Sequence, residues 1–367
     1  MKPTGAAGVV IDPINGSVQM KPNEVYFYEP SCGNCSSSGT YTYGDWTSYT
    51  PILVSGNTWW DYSLVQWDES SQNWLMVGKL GSGLGDAFYM NSDITNTGWT
   101  FMKMYTHTPD TGYTYNLSSS ISPMFIATDG NGKFIIIGEG ATARMGYYYS
   151  SSITGWTYNL LEPLGSDYYN TSLFYGNGKW VWVGRKAFDT YKIMYSTDQI
   201  NWTLAIQQSG TSIITCGYYA DGKYVFANRG NLLTTTDFVN WNVSTRNASD
   251  GRNDTGLVTF GCGMFVSYEG SWVSKSCDGI TWYETPGAAE IDGTTHPYWS
   301  YYLYNYKDNK FLSMSFYNAG IITSYDGYNW ITEKIINGGW TLNISGNDNY
   351  IALIDGQTES LYYQKTT

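Results

Sequence analysis

One phrase recurs along this chain and limits what it can fold into more tightly than any other feature. Its clearest copy reads Tyr175-Gly-Asn-Gly-Lys-Trp-Val-Trp-Val-Gly184, then a loop, then Ile193-Met-Tyr-Ser-Thr-Asp-Gln-Ile-Asn-Trp202. The unit is a Gly/Asn turn, a short apolar run, a loop, a second run ending in Ser-x-Asp, and a Trp six residues beyond that Ser. The landmark tryptophans are Trp46, Trp99, Trp156, Trp202, Trp241, Trp282 and Trp330, spaced 39 to 57 residues apart. No 12-residue window shows the i, i+3, i+4, i+7 apolar stripe of an amphipathic helix.

Four strands of five or six residues with their turns take about 40 to 50 residues, the length of one β-propeller blade. The composition agrees: 35 Tyr, 16 Trp and 41 Gly with only 14% charged residues describe many short strands joined by tight turns. Within a unit, strand a precedes the Gly/Asn turn, as in Pro123–Ala127, Thr171–Phe174, Ile213–Cys216, Leu257–Phe260 and Tyr301–Tyr304. Asn177-Gly178 and Asp221-Gly222 suit the two positive-φ positions of a type I′ turn. Strand b is a continuous apolar run, Phe134–Ile137, Trp180–Val183 or Tyr224–Ala227, which fits a strand covered on both faces.

Strand c ends in the repeated turn: Ser196-Thr-Asp198 to Trp202, Thr235-Thr-Asp237 to Trp241, Ser276-Cys-Asp278 to Trp282, and Ser324-Tyr-Asp326 to Trp330. Short Ser, Thr and Asp side chains accept hydrogen bonds from turn N–H groups, and the Trp then starts strand d and covers the turn. After Trp330 the chain offers three more strands but no closing Trp strand. Around Trp46 it offers a closing strand without predecessors. Pairing the two completes a seventh blade and hides both edges. The reading is therefore an all-β, seven-bladed propeller over residues 41–367, preceded by an irregular arm over residues 1–40 with one strand-like run, Val25–Tyr28.

The Ser-x-Asp-Gly-x-x-Trp turns at 276–282 and 324–330 resemble the Asp-box repeats of sialidase-like propellers. They are still more similar to the Trp-terminated repeats of propeller modules in bacterial surface proteins and tailed-phage virion proteins, over about 300 residues. That resemblance implies a virion structural or attachment protein in a tail, baseplate, fibre or capsid-decorating position. It would be present in many copies, joined to other virion proteins through the arm, and able to dock on protein or host-surface glycan. A secreted bacterial glycan-binding adhesin and a sialidase-like glycoside hydrolase are the alternatives.

In a propeller the a–b and c–d turns share one face, while the longer b–c and d–a loops share the other. Variable loops on a rigid scaffold are where binding is expected. Arg144, Arg185 and Arg229 follow strand b in consecutive units and would clamp a carboxylate. Glu139, Glu162, Asp167 and Asp189 are the acids a hydrolase would pair. The three Arg stand at different offsets, which favours a polar rim over a catalytic set. Tyr168, Tyr169, Trp299 and Tyr302 offer aromatic faces to sugar rings, although such residues in strands more often pack between blades.

The balance of 19 Lys+Arg against 31 Asp+Glu gives a net charge of −12, which disfavours nucleic acid and anionic lipid as partners. No apolar run is long enough to span a bilayer, and the opening residues lack the apolar core of a signal peptide, so membrane insertion is not expected. Five Cys form an odd, sparse set rather than a disulfide framework. Cys32 and Cys35 have zinc-knuckle spacing, but with only His107 and His296 elsewhere no four-ligand site is expected, and no metal or cofactor is implied.

Overall fold

The computed structural model describes residues 7–11, 18–22, 45–51, 59–80, 85–105, 122–139, 145–160, 168–186, 190–209, 214–228, 231–245, 257–261, 263–269, 272–286, 290–291, 294–295, 300–306, 310–315, 320–324, 331–335, 341–355 and 360–365. These residues form seven four-stranded antiparallel sheets and two small hairpins. Blade 1 consists of Trp59–Asp68, Asn73–Leu80, Gly85–Asn91 and Thr100–Tyr105, and blade 2 of Ser122–Thr128, Phe134–Glu139, Met145–Ser150 and Trp156–Leu160. Blade 3 is Tyr168–Gly176, Lys179–Lys186, Thr190–Ser196 and Thr203–Ser209, and blade 4 is Ile214–Ala220, Lys223–Asn228, Asn231–Thr235 and Asn242–Thr245. Blade 5 is Leu257–Gly261, Met264–Glu269, Trp272–Ser276 and Tyr283–Pro286, and blade 6 is Ser300–Tyr306, Lys310–Ser315, Gly320–Ser324 and Ile331–Ile335.

Blade 7 is built from both ends of the ring: Thr341–Gly346, Tyr350–Asp355 and Ser360–Lys365, with Thr47–Tyr49 as its fourth strand. Thr47 pairs with Tyr363 and Tyr49 with Leu361. The innermost strands succeed one another around a closed circle, Thr341–Gly346 lying between Ser300–Tyr306 of blade 6 and Trp59–Asp68 of blade 1. The chain is thus an all-β propeller closed by the strand exchange that the sequence implies.

Blades stack because strand b is apolar on both faces, and the period of two divides it between neighbours. In blade 3, Trp180 and Trp182 turn toward Ile135, Ile137 and Tyr147 of blade 2. Val181 and Val183 turn toward Tyr224 and Phe226 of blade 4. The same division recurs between blades 7 and 1, where Trp74 and Met76 meet Ala352, Ile354 and Leu361. Every residue of 180–183 is at most 2% exposed, which is why the run carries no polar alternation.

Two local features shape the ring. Asn177 and Gly178 have φ of 46° and 73°, and Asp221 and Gly222 have 47° and 74°, the pairs of left-handed residues expected at these hairpins. In six blades strand a is bulged against strand b, for example between Asn170 and Ser172 and between Ile214 and Cys216. A bulge adds local twist, and here it falls on the strand nearest the axis, where neighbours crowd most.

Three sequence expectations need adjusting. Residues 1–40 include a hairpin, Ala7–Ile11 with Val18–Pro22, that the sequence reading passed over; the run Val25–Tyr28 lies outside the described residues. Strand a of blade 3 starts earlier than expected, so Tyr168 and Tyr169 belong to a strand rather than a loop. The cysteine count describes no disulfide framework, but Cys277 is disulfide-bonded. Cys216 is a free thiol, and burial pushes its pKa up. Cys32 and Cys35 lie outside the described residues.

Candidate functional site

The repeated turn is the most regular site on the molecule, and its chemistry is structural. Asp198 Oδ1 accepts the N–H of Ile200 at 2.9 Å and of Asn201 at 2.7 Å, while Ser196 Oγ donates to it at 3.0 Å. Asp237 accepts the N–H of Val239 and of Asn240, both at 2.8 Å. Asp278 accepts those of Ile280 at 2.8 Å and Thr281 at 2.7 Å. Each carboxylate thereby satisfies two N–H groups that the hairpin leaves unpaired. Asp326 and Trp330, the fourth copy, lie outside the described residues.

The sequence reading missed what the residue after each Asp does. Gln199, Phe238 and Gly279 all have left-handed backbones, with φ of 69°, 65° and 68°. That conformation aims each at the preceding blade. Gln199 Nε2 donates to Phe134 O at 2.8 Å and Ser150 O at 3.2 Å in blade 2. Phe238 stacks on Tyr195 of blade 3 with ring centroids 4.7 Å apart. Gly279 O accepts the hydroxyl of Thr234 in blade 4. The Trp also reaches back in blade 3, Trp202 meeting Tyr147 of blade 2 edge-on at 6.0 Å. Gly279 and Gly327 were the hints in the sequence; Gln199 and Phe238 at the same position concealed the pattern.

These hydrogen bonds set the titration of the turns. The side-chain amide and N–H of Asn201 and the N–H of Ile200 hold the Asp198 carboxyl well below the usual carboxylate range. The N–H groups of Asn240 and Val239 hold Asp237 at about 2. Burial opposes the shift at Asp278, but the N–H groups of Thr281 and Ile280 outweigh it and keep the pKa low. A folded-state pKa below the unfolded value of about 3.9 gives stability that is complete above pH ~4 and lost as pH falls toward ~2. The triple variant Asp198→Asn, Asp237→Asn, Asp278→Asn is therefore expected to melt below the wild type at pH 6 and to converge with it near pH 2. Parallel thermal melts across that range check this; a constant gap would contradict it.

The candidates on the loop face are only partly brought together. Arg185 is half-buried in strand b of blade 3, and its cross-strand partners are Tyr169 on one side and Tyr191 on the other. Tyr168 pairs with Lys186. Tyr302 lies in strand a of blade 6 beside a bulge between Ser300 and Leu303. Arg144, Arg229 and Trp299 lie outside the described residues, as do Glu162, Asp167, Asp189, His107 and His296; Glu139 ends strand b of blade 2. Among the described residues no group of three His, Cys, Asp or Glu is placed to hold a metal ion.

A cavity of about 480 Å³ opens instead on the turn face, at the seam of blades 7 and 1. Three aromatic rings, Trp67, Trp74 and Tyr350, and three carboxylates, Glu69, Asp93 and Asp348, line it. On the blade 1 side it is bounded by the four-residue turn 69–72 between strands a and b, longer than the two-residue turns of blades 3 to 5. Asp68, fully buried, folds this longer loop by accepting the N–H of Ser70 at 3.3 Å and of Ser71 at 3.1 Å.

No protein-family model matches the chain, and no curated protein is similar to it in sequence. Solved structures are similar in fold, and they define its class as that of β-propeller proteins. A streptogramin B lyase aligns with a TM-score of 0.61 at 10% identity over 88% of this chain and 98% of the other. A catalytically inactive virginiamycin B lyase from Staphylococcus aureus with quinupristin aligns at 0.63 and 10% identity, over 88% and 100%. The extracellular domain of a one-component system from B. thetaiotaomicron aligns at 0.55 and 8% identity over 86% of this chain, but over 39% of that one. At these identities the likeness is one of fold; these relatives' activities do not transfer with it.

Proposed function

We propose that this propeller is a non-catalytic docking subunit of an extracellular assembly, with a tailed-phage virion as the assembly its repeats resemble. The observation that carries the proposal is an apolar arc on the outer rim of blades 3 to 5. Val239 is 78% exposed and Val243 61%, while Ile200 and Leu204 are each 49% exposed, with Ile280 and Tyr283 continuing the arc. These residues stand in or beside the outermost strands, whose free edges folded proteins normally protect with charge. A run of apolar side chains along three consecutive edges is a surface that a neighbouring subunit would cover. The strand that closes the ring begins at Thr47, and the hairpin Ala7–Ile11 with Val18–Pro22 ahead of it is a sheet separate from the seven blades, which suits a tether. A disulfide at Cys277 suits the oxidising surroundings of a particle or cell surface.

The test uses particles assembled in the presence of variant subunits. Deleting residues 1–40, or substituting Val239→Lys with Val243→Lys, is expected to leave a folded propeller that enters particles at least tenfold less. A panel of fluorogenic glycosides is expected to remain uncleaved. Undiminished incorporation of both variants would overturn the docking role. Glycoside turnover abolished by Arg185→Ala would replace it with the hydrolase.

A further inference from the structure

We infer that the turn-face cavity between blades 7 and 1 is a carbohydrate-binding site that takes a neutral sugar unit and excludes sialylated ends. Its volume of about 480 Å³ falls in the range of small-ligand sites. Trp67 is half-buried, its ring 5.2 Å from that of the buried Trp74. Its Nε1 already donates to Glu69 Oε2 at 2.7 Å, so the ring is held in place while it lines the cavity. Tyr350, also in the lining, is steadied by an edge-on contact with Tyr363 at 6.0 Å. Two fixed rings bounding one cavity suit the C–H faces of a pyranose, which are apolar while its rim is hydroxylated.

The rest of the lining supplies what a hydroxylated rim needs. Gln72 is held in place by donating to Glu69 O at 2.8 Å and Glu69 Oε1 at 3.1 Å. Asn347 Oδ1 accepts the N–H of Asn349 and of Tyr350, both at 2.8 Å, which fixes the opposite turn. Planar carboxylate and amide groups engage neighbouring hydroxyls in pairs, and groups already locked by their own hydrogen bonds lose little freedom on binding. Charge then sets the class of sugar. Among the described residues, Glu69, Asp93 and Asp348 line the cavity and no Lys or Arg does, so an anionic sugar would bring a fourth carboxylate among three. This places glycan recognition on the face opposite Arg185, with the reverse charge preference. The cavity is also remote from the apolar arc of blades 3 to 5, so this inference and the docking proposal fail independently.

The experiment presents the full-length labelled chain to an array of neutral and sialylated glycans, then titrates the hits by tryptophan fluorescence. Neutral termini are expected to bind and their sialylated counterparts to be rejected. Trp67→Ala and the exposed-site variant Asp348→Ala should each weaken binding at least tenfold, Trp67→Phe should restore part of it, and Arg185→Ala should change nothing. An unaltered melting temperature for Asp348→Ala keeps the result free of folding effects. Failure of every neutral glycan to bind at millimolar concentration would overturn the inference. So would binding that survives both cavity variants, or a preference for sialylated ends that depends on Arg185. Any of these outcomes leaves the particle-incorporation assay able to judge the docking role separately.

Discussion

A chain beginning at Asp45 is expected to unfold at the same denaturant midpoint as the full-length protein, and one beginning at Ile52 to lose about 5 kcal/mol or more and to aggregate. The seven residues between these starts hold the closing strand. Trp46 is 6% exposed among Leu312, Ile321, Ile351 and Leu353, and donates from Nε1 to Glu333 Oε2 of blade 6 at 2.9 Å. Tyr49 donates to Ile94 O at 2.7 Å in blade 1, and Trp99 Nε1 donates back to its hydroxyl at 3.3 Å. One short strand therefore ties blade 7 to both neighbours. Losing a buried Trp costs about 3–5 kcal/mol and each hydrogen bond about 1 kcal/mol more. Removal also bares the edge of Ser360–Lys365, which is open to pairing between chains. Equal stability of the two truncations, measured by denaturant titration and light scattering, would mean that the ring does not depend on its closure.

Trp182→Ala is expected to be the most damaging single substitution, costing about 3–5 kcal/mol. The ring is 0% exposed and fills the seam between blades 2 and 3 with Tyr147, Ile135 and Ile137. It also dictates a neighbour. A Cβ placed on Gly184 would stand 2.0 Å from the Trp182 ring, so the glycine is demanded by packing and not by a left-handed backbone. Gly184→Ala alone should then cost about 1–3 kcal/mol by overpacking, yet be close to neutral once Trp182 is Ala. A double-mutant cycle measures that coupling; strict additivity would show that the two positions do not share the space. Ile200→Ala, at a 49% exposed position, should stay within about 0.5 kcal/mol of the parent and serves as the control.

Much of the architecture was written into the sequence because its determinants are local. Asn177-Gly178 and Asp221-Gly222 announce positive φ, the unbroken runs 134–137 and 180–183 announce burial on two faces, and Asp198, Asp237 and Asp278 announce closed turns. Even the closure was legible, since a Trp46 strand without predecessors and a last unit without a Trp strand answer each other. What sits between blades was not. Gln199 and Phe238 look unrelated, but share a left-handed backbone and the task of gripping the blade before them. The bulges in strand a leave no mark in the composition, because they answer to crowding near the axis.

The site shows the same division. Arginine and tyrosine content drew attention to the loop face, where the structure sets Arg185 beside Tyr169 and Tyr191. The cavity lies on the other face, assembled from residues 67–74, 92–94 and 347–350. Positions about 280 residues apart become neighbours, as when Trp67 N donates to Ser345 Oγ at 3.0 Å, only because the ring closes there. Periodicity and turn chemistry act through neighbours in the chain, so the sequence by itself determined the all-β repeat and the turns that close its sheets, with a blade count consistent with the seven described sheets. Which side chains share a seam depends on the register between sheets and on the exchange of a strand across the ends, and only the tertiary structure decided that.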